Sequence, residues 1–319
     1  MRTLPNNTWR FITVAVVCLA NGAATATDFT WLTTPISENW NTVDANWNGT
    51  GSVWTNNPAN NAFFEMSDTK NLTVGAITAK DINFNADDYT LMGGTLDLFG
   101  NITVGSSQTA TVSTPITSTN RLSKLGAGTL VLSPSAEVSN NVAQVSFVAG
   151  TLHHVSGTTI VTKVGTPSLP SFWVQGGTLV MGGGLIRTTA GSHAVVNGGG
   201  TLLITNGVVD VSSNGELLNA YSTSGKTIVS DNGILDTKVL RITQCSGAAV
   251  NNAVNVNTGG TIRLEYYNID ANQTQRRGML NLNGGVSCAK ANSATFLGDG
   301  SEAWLTEVTA NVLGGGGDL

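Results

Sequence analysis

Gly176-Gly-Thr-Leu-Val-Met181 and Gly199-Gly-Thr-Leu-Leu-Ile204 are two copies of the phrase that decides how this chain folds. Further copies read GGTLDL (Gly93 to Leu98), GAGTLVL (Gly126 to Leu132), AGTLHH (Ala149 to His154) and GGTIRL (Gly259 to Leu264). Two weaker ones are NGILDT (Asn232 to Thr237) and NGGVSC (Asn283 to Cys288). Anchored on Gly94, Gly128, Gly150, Gly177, Gly200, Gly233, Gly260 and Gly285, the copies are 34, 22, 27, 23, 33, 27 and 25 residues apart. A recurrence of about 20–50 residues is the mark of a repeat architecture. NGEL (Asn214 to Leu217) falls inside the step of 33 and leaves the coil count there open.

The first and third residues after the threonine are nearly always apolar: Leu96/Leu98, Leu130/Leu132, Leu179/Met181, Leu202/Ile204 and Ile262/Leu264. The middle residue varies freely through Asp97, Val131, His153, Val180, Leu203 and Arg263. A period of two describes a strand with one buried and one variable face. The paired glycines supply the sharp corner that precedes it. So short a strand cannot bury its apolar face alone, and the units must stack. The remaining residues of each unit leave room for two more short strands, such as 194–197 and 208–211. Helical repeats need amphipathic helices, which the alternation does not provide, and a propeller blade needs about 40–45 residues. The expectation is an all-β, right-handed parallel β-helix of roughly ten coils over residues 71–319, with an N-terminal capping segment over 27–70.

Composition agrees. Of 319 residues only 11% are charged, against about 25% in an ordinary globular domain, while 38 are glycine. A hydrophobic content of 40% is too high for a disordered chain of such low charge. Residues 1–26 have the pattern of a secretory signal peptide: Arg2 and Arg10, an apolar stretch from Phe11 to Ala20, and the A-x-A site Ala24-Thr25-Ala26. The apolar run is shorter than the roughly 20 residues of a membrane span. Residues 27–319 then hold 13 basic and 20 acidic side chains, a net charge of −7. An acidic surface argues against nucleic acid and anionic membranes as partners, and no second apolar run suggests a span in the mature chain. An oxidising compartment permits a bridge between Cys245 and Cys288, but they occupy different phases of the repeat and no pairing is expected.

Leu122-Ser-Lys-Leu-Gly-Ala-Gly-Thr-Leu-Val-Leu-Ser133 resembles the L-x-K-x-G-x-G-T-L-x-L-S signature of autotransporter-associated β-strand repeats, also called passenger-associated transport repeats. Before it lie a Trp-rich opening (Trp31, Trp40, Asn46-Trp47), Pro58-Ala59-Asn60, Phe63-Phe64 and an Asn71-Leu-Thr-Val74 run, which are similar to the start of such proteins. The likeness covers most of residues 28–290, closely at 122–133 and loosely elsewhere. It implies a secreted β-helical passenger, displayed on or shed from a Gram-negative-type cell, and it implies no enzyme. The sequence departs from an autotransporter in ending at Leu319 without a membrane barrel or sorting segment. The expectation is therefore export by another system, or a sequence that is part of a longer protein.

Candidate sites are few. Asp87-Asp88 is the only adjacent acidic pair, and consecutive residues of an extended chain point to opposite faces, whereas glycoside cleavage needs two opposed carboxylates. The pair reads as a turn before Tyr89. Arg241-Ile-Thr243 lacks the lysine of the polygalacturonase-type pattern. His153 and His154 also point apart, with His154 at the inward phase of Leu132 and Met181, and the sole other histidine is His193, so no zinc set is expected. Leu297-Gly-Asp-Gly-Ser301 reads as a turn, and Gly182-Gly-Gly-Leu-Ile lacks the lysine and helix of a phosphate loop. No catalytic, cofactor or metal residue is assigned. Trp31, Trp40, Trp47 and Trp54 are assigned first to the cap and second to contact with a glycan or partner. Tyr266 and Tyr267, with Arg276-Arg277, are candidates for a lateral contact loop.

The expected function is that of an exported structural or adhesive protein presenting an extended surface at or outside the cell, secreted or outer membrane-associated. Its expected partners are the export machinery and an extracellular polysaccharide or host or cell-surface ligand. The alternative is a polysaccharide-active or carbohydrate-binding β-helix.

Overall fold

A computed structural model describes residues 25–48, 52–166, 168–189, 193–221, 223–244, 251–268, 277–290 and 309–312. The stretch expected to be a secretory leader thus lies almost wholly outside the described residues, and Cys245, Arg276 and Leu297 to Ser301 lie wholly outside them. Among the described residues the chain is all β, with parallel strands stacked as a solenoid of about 9 turns. Ten coils were expected.

Three ladders form three faces. Face 1 runs from Asn39–Trp40 through Thr109–Val112, Thr129–Leu132, Thr151–His154, Thr178–Met181, Gly200–Ile204 and Gly225–Val229 to Thr309–Val312. Face 2 includes Thr158–Val161, Leu185–Thr188, Thr261–Leu264 and Val286–Ala289. Face 3 includes Asn61–Phe64, Ile82–Phe84, Asn101–Val104, Phe172–Gln175, His193–Asn197 and Tyr266–Asn268. Longer strands such as Asn71–Ala79 and Tyr89–Leu98 turn a corner and serve two faces. Among the described residues the ladders are parallel apart from one antiparallel pairing in the cap, where Trp31 faces Trp47, and two isolated antiparallel bridges, Thr166 to Leu169 and Asn257 to Gly284. The stacking reaches back before Asn71: Asp28–Trp31 already pairs in parallel with Asn61–Phe64.

The inward assignment holds. Leu96, Leu130, Leu152, Leu179, Leu202 and Ile262 are all 0–3% exposed, while Arg263 between two buried neighbours is exposed. The single phase read from the phrase does not hold. Leu130 lies across from Ala110 and Leu152, and Leu179 across from Leu152 and Leu202, all on face 1. Leu96, Leu235 and Ile262 belong to face 2, where Leu96 lies across from Ile116 and Leu235 from Ile262. The phrase therefore changes face between Gly94 and Gly128 and again between Gly200 and Gly233, at the two long steps of 34 and 33. A corner followed by a short inward-alternating strand suits any edge of the prism, so the same words serve on two faces. The coil itself is shorter: Thr109, Thr129, Thr151, Thr178 and Thr201 lie across from one another at intervals of 20, 22, 27 and 23 residues.

The corner glycines are required by contact. At Gly126, with φ +76°, a Cβ would run into the Val104 carbonyl, and at Gly128 into the Gly105 carbonyl. At these two corners one coil lies so tightly on the one beneath it that the turn has no room for a side chain.

Candidate functional site

The Trp-rich segment closes the N-terminal end of the lumen. Trp47 stands at its centre, with ring centroids 5.1 Å from Trp31 and Trp54, 5.4 Å from Trp40 and 5.5 Å from Phe64. Phe29 packs against Trp54 at 4.9 Å, and Phe64 stacks on Phe84 at 5.1 Å, carrying the aromatic column into the coils. All four tryptophans are 0–1% exposed. Stacking on a sugar needs an open ring face, and these rings have none; they are the core of the cap. The Trp54 indole donates to Asn56 Oδ1 at 3.2 Å, whereas the Trp31, Trp40 and Trp47 indole nitrogens have no oxygen or nitrogen partner. The rings themselves meet edge to face, as in Trp31–Trp47 and Trp40–Trp54, at 82° and 86°. Outside the rings, Asp44 accepts from Ser37 Oγ, Asn39 Nδ2 and Asn41 Nδ2, bonds that hold its carboxyl below the ordinary carboxylate range.

The lateral tyrosines separate. Tyr267 is buried, its hydroxyl 2.5 Å from Ser287 Oγ, and burial pushes its pKa up to about 12. It is therefore a wall of the lumen and not part of an outer loop. The Tyr266 side chain lies outside the described residues, and Arg277 opens the face 1 strand Arg277–Asn283.

The acidic pair is a bend, as expected. Asp87 Oδ1 accepts from the Thr109 amide at 2.5 Å, and Asp88 takes a positive φ of 66° before the Tyr89 strand. The two adjacent histidines point apart. His153 faces outward, while His154 is fully buried, with Nδ1 3.0 Å from the Gly183 carbonyl and Nε2 3.2 Å from Thr159 Oγ1. Burial lowers its pKa, so it is neutral inside the lumen. Asn140 completes this chain, donating to Thr159 Oγ1 at 3.0 Å and accepting from the Ile116 amide at 2.8 Å. His193 is on a different face, 3.7 Å from Glu216, whose carboxylate is gripped by Arg241 at 2.9 and 3.1 Å. Cys288 is exposed on the outer side of its strand and unpaired.

One lumen residue was not singled out from sequence. Lys124 is 2% exposed and points inward between Ile102 and Phe147. Its Nζ donates to the carbonyls of Gly126, Gly128 and Ala149 at 2.7, 2.8 and 3.0 Å. Three acceptors use all three ammonium protons, so this amine is a clamp on the glycine corner and not a free nucleophile. Burial pushes its pKa down to about 8. A cavity of about 20 Å³ beside it is walled mainly by Leu122, Leu130, Leu132, Val145 and Leu152. The signal was present in the alternation: Leu122 and Lys124 share a parity, so if the leucine is inside, the lysine must be too.

On the outside of face 3, the Arg121 guanidinium lies 5.3 Å from the Trp173 ring, whose indole donates to Asn197 at 2.7 Å. Asn197 in turn donates to the Tyr221 carbonyl at 2.9 Å. This bridging from Trp173 through Asn197 to Tyr221 ties successive coils together and braces the wall.

No family model, curated protein or solved structure matches the chain.

Proposed function

We propose that the chain is an exported structural or adhesive scaffold whose task is to present a long, patterned surface outside the cell. One observation carries this reading: the inward rows repeat while the outward rows vary face by face, so what the repeat builds is a support for its outer side chains. Some outer ionic groups pair within the wall, as in Arg187–Asp210 at 2.9 Å and Arg241–Glu216. The resemblance of residues 122–133 to passenger repeats supports export, and so does the leader pattern at residues 1–26.

The test is to express the gene in its own host, fractionate cells and medium, and map the N-terminus of the protein recovered. Recovery outside the cell or on its surface, starting near Thr27, is the expected result; retention in the cytoplasm with Met1 intact would overturn it. Incubation with acidic and neutral glycans should give no reducing ends or unsaturated products. Turnover abolished by replacing one carboxylate would instead establish the polysaccharide-active alternative.

A further inference from the structure

Face 1 bears an unbroken outward row of one residue type. Thr109, Thr129, Thr151, Thr178 and Thr201 lie directly across from one another on five successive strands. Each is partly exposed, and none of the five hydroxyls has a hydrogen-bond partner among the described residues. Threonine is stiff at χ1, so the backbone ladder also fixes where its hydroxyl and methyl point. Two residues along each strand stands a second outward row, Thr111, Val131, His153, Val180 and Leu203. Neither row contains Lys, Arg, Asp or Glu over these strands. Face 2 differs, carrying Asp97, Arg187, Asp210, Asp236 and Arg263 along its middle outward row.

These features narrow the partner. A face without Lys, Arg, Asp or Glu has no fixed charge with which to recognise a charged polymer. A flat ladder offers no concavity for a small ligand. Five strands about 4.8 Å apart, each about four residues long, present roughly 300 Å², well below the roughly 800 Å² per partner of a stable protein complex. What the row does match is a neutral lattice. Hydroxyls repeat about every 4.8 Å along it. Tetrahedral water with O···O contacts of about 2.75 Å places second-neighbour oxygens about 4.5 Å apart, so the two repeats drift by only about 1 Å over the row. The threonine methyls and Val131, Val180 and Leu203 supply apolar surface between the hydroxyls, on which water is ordered without being bound tightly.

We propose that this face binds ice, with the threonine row as the registering element. The inference rests on the reading of the chain as an exported surface scaffold and gives that surface a ligand.

The experiment freezes a solution of the purified chain slowly onto a cold finger and measures the share of protein taken into the ice, with inhibition of ice recrystallisation as a second readout. Thr151→Tyr interrupts the row at its centre; Asn141→Tyr places the same bulk on the outside of face 2; Lys226→Thr extends the row to the next strand, where Lys226 lies across from Thr201. Melting curves check that all three fold. The wild type should be enriched in ice, Thr151→Tyr should fall to the level of an inert protein, Asn141→Tyr should match the wild type, and Lys226→Thr should gain. Exclusion of the wild type from ice, or equal losses in the two tyrosine variants, would overturn the proposal. Should Thr151→Tyr fail to fold, Thr151→Ser and Thr178→Ser, which keep the hydroxyl and delete the methyl, give the same reading as a partial loss. Retention on insoluble neutral glycans without uptake into ice would also overturn it while leaving the surface scaffold standing. A chain that never leaves the cell would sink the scaffold reading whatever the ice result.

Discussion

The two parts of the lumen are filled by opposite strategies. In the cap, a few large rings meet edge to face around Trp47, on short strands that pair partly antiparallel. In the coils, modest aliphatic side chains recur at the same place on strand after strand, as in Leu130, Leu152, Leu179 and Leu202. A stacked coil inherits its boundary from the coil before it, but among the described residues the first coil has nothing beneath it. The cap must therefore end the lumen by bulk, since no neighbour will complete it. The comparison teaches that regularity and closure are separate problems, solved by different residue types within one continuous core.

Four substitutions would break or sharpen that contrast. Leu179→Asp places an unpaired charge in the aliphatic stack and should cost more than about 5 kcal/mol, enough that the coils lose cooperative unfolding in a denaturant titration followed by circular dichroism. Trp47→Ala opens a void in the cap worth about 3–5 kcal/mol. Four of the seven tryptophans lie in the cap, so fluorescence should report its loss at lower denaturant than dichroism reports the coils. Coincident transitions in that variant would show that cap and coils unfold as one unit, against the division drawn above.

Lys124→Met tests the glycine corner, and should cost about 2 kcal/mol near neutral pH by stranding carbonyls that the ammonium serves. Its pH dependence is the sharper readout. The folded lysine loses its proton near pH 8 and the unfolded one near 10.5, so between those values the unfolded chain holds the extra proton. Wild-type stability should then rise with pH across that window by about 3 kcal/mol, while the methionine variant shows no matching rise. A wild-type curve parallel to that of the variant would mean that the three carbonyls hold the ammonium at its ordinary pKa. The smallest effect is expected of Arg263→Ala, outside the wall, at less than about 0.5 kcal/mol. A loss there comparable to that of Trp47→Ala would contradict the inward and outward assignment altogether.

Where the sequence could be read, it was read through alternation. Leucine on alternate positions around a variable residue placed Leu96, Leu179 and Ile262 inside and Arg263 outside, because strand geometry leaves no other choice. Phase was not legible. Nothing in Gly-Thr-Leu says which edge of the prism it occupies, and only hydrogen-bonded register separates Leu130 from Leu235. The cap was legible in composition but not in detail: four tryptophans near one end announce aromatic packing, while their complete burial depends on partners such as Phe29, Phe64 and Phe84 supplied from three separate strands. A tyrosine pair in a polar stretch resembles a surface loop, yet Tyr267 lies inside; its neighbour across the coil corner, Ser287, is 20 residues away and answers its hydroxyl. Lys124 shares the inward parity of Leu122, although a lysine is ordinarily found outside.

The movement of the phrase from one face to another makes the chain a vernier. Two rulings run along it, one set by the length of a coil and one by the return of Gly-Thr-Leu, and they coincide only for a stretch. From Thr129 to Thr201 the marks agree, and identical side chains fall into line along the axis. By Ile234 the phrase has slipped to the neighbouring edge, and the place after Thr201 in the line falls to Lys226. Beyond Thr201 the stripe thus ends where the rulings part, not where the coils do. A few residues added to or removed from one corner would shorten or lengthen the stripe while leaving every coil intact.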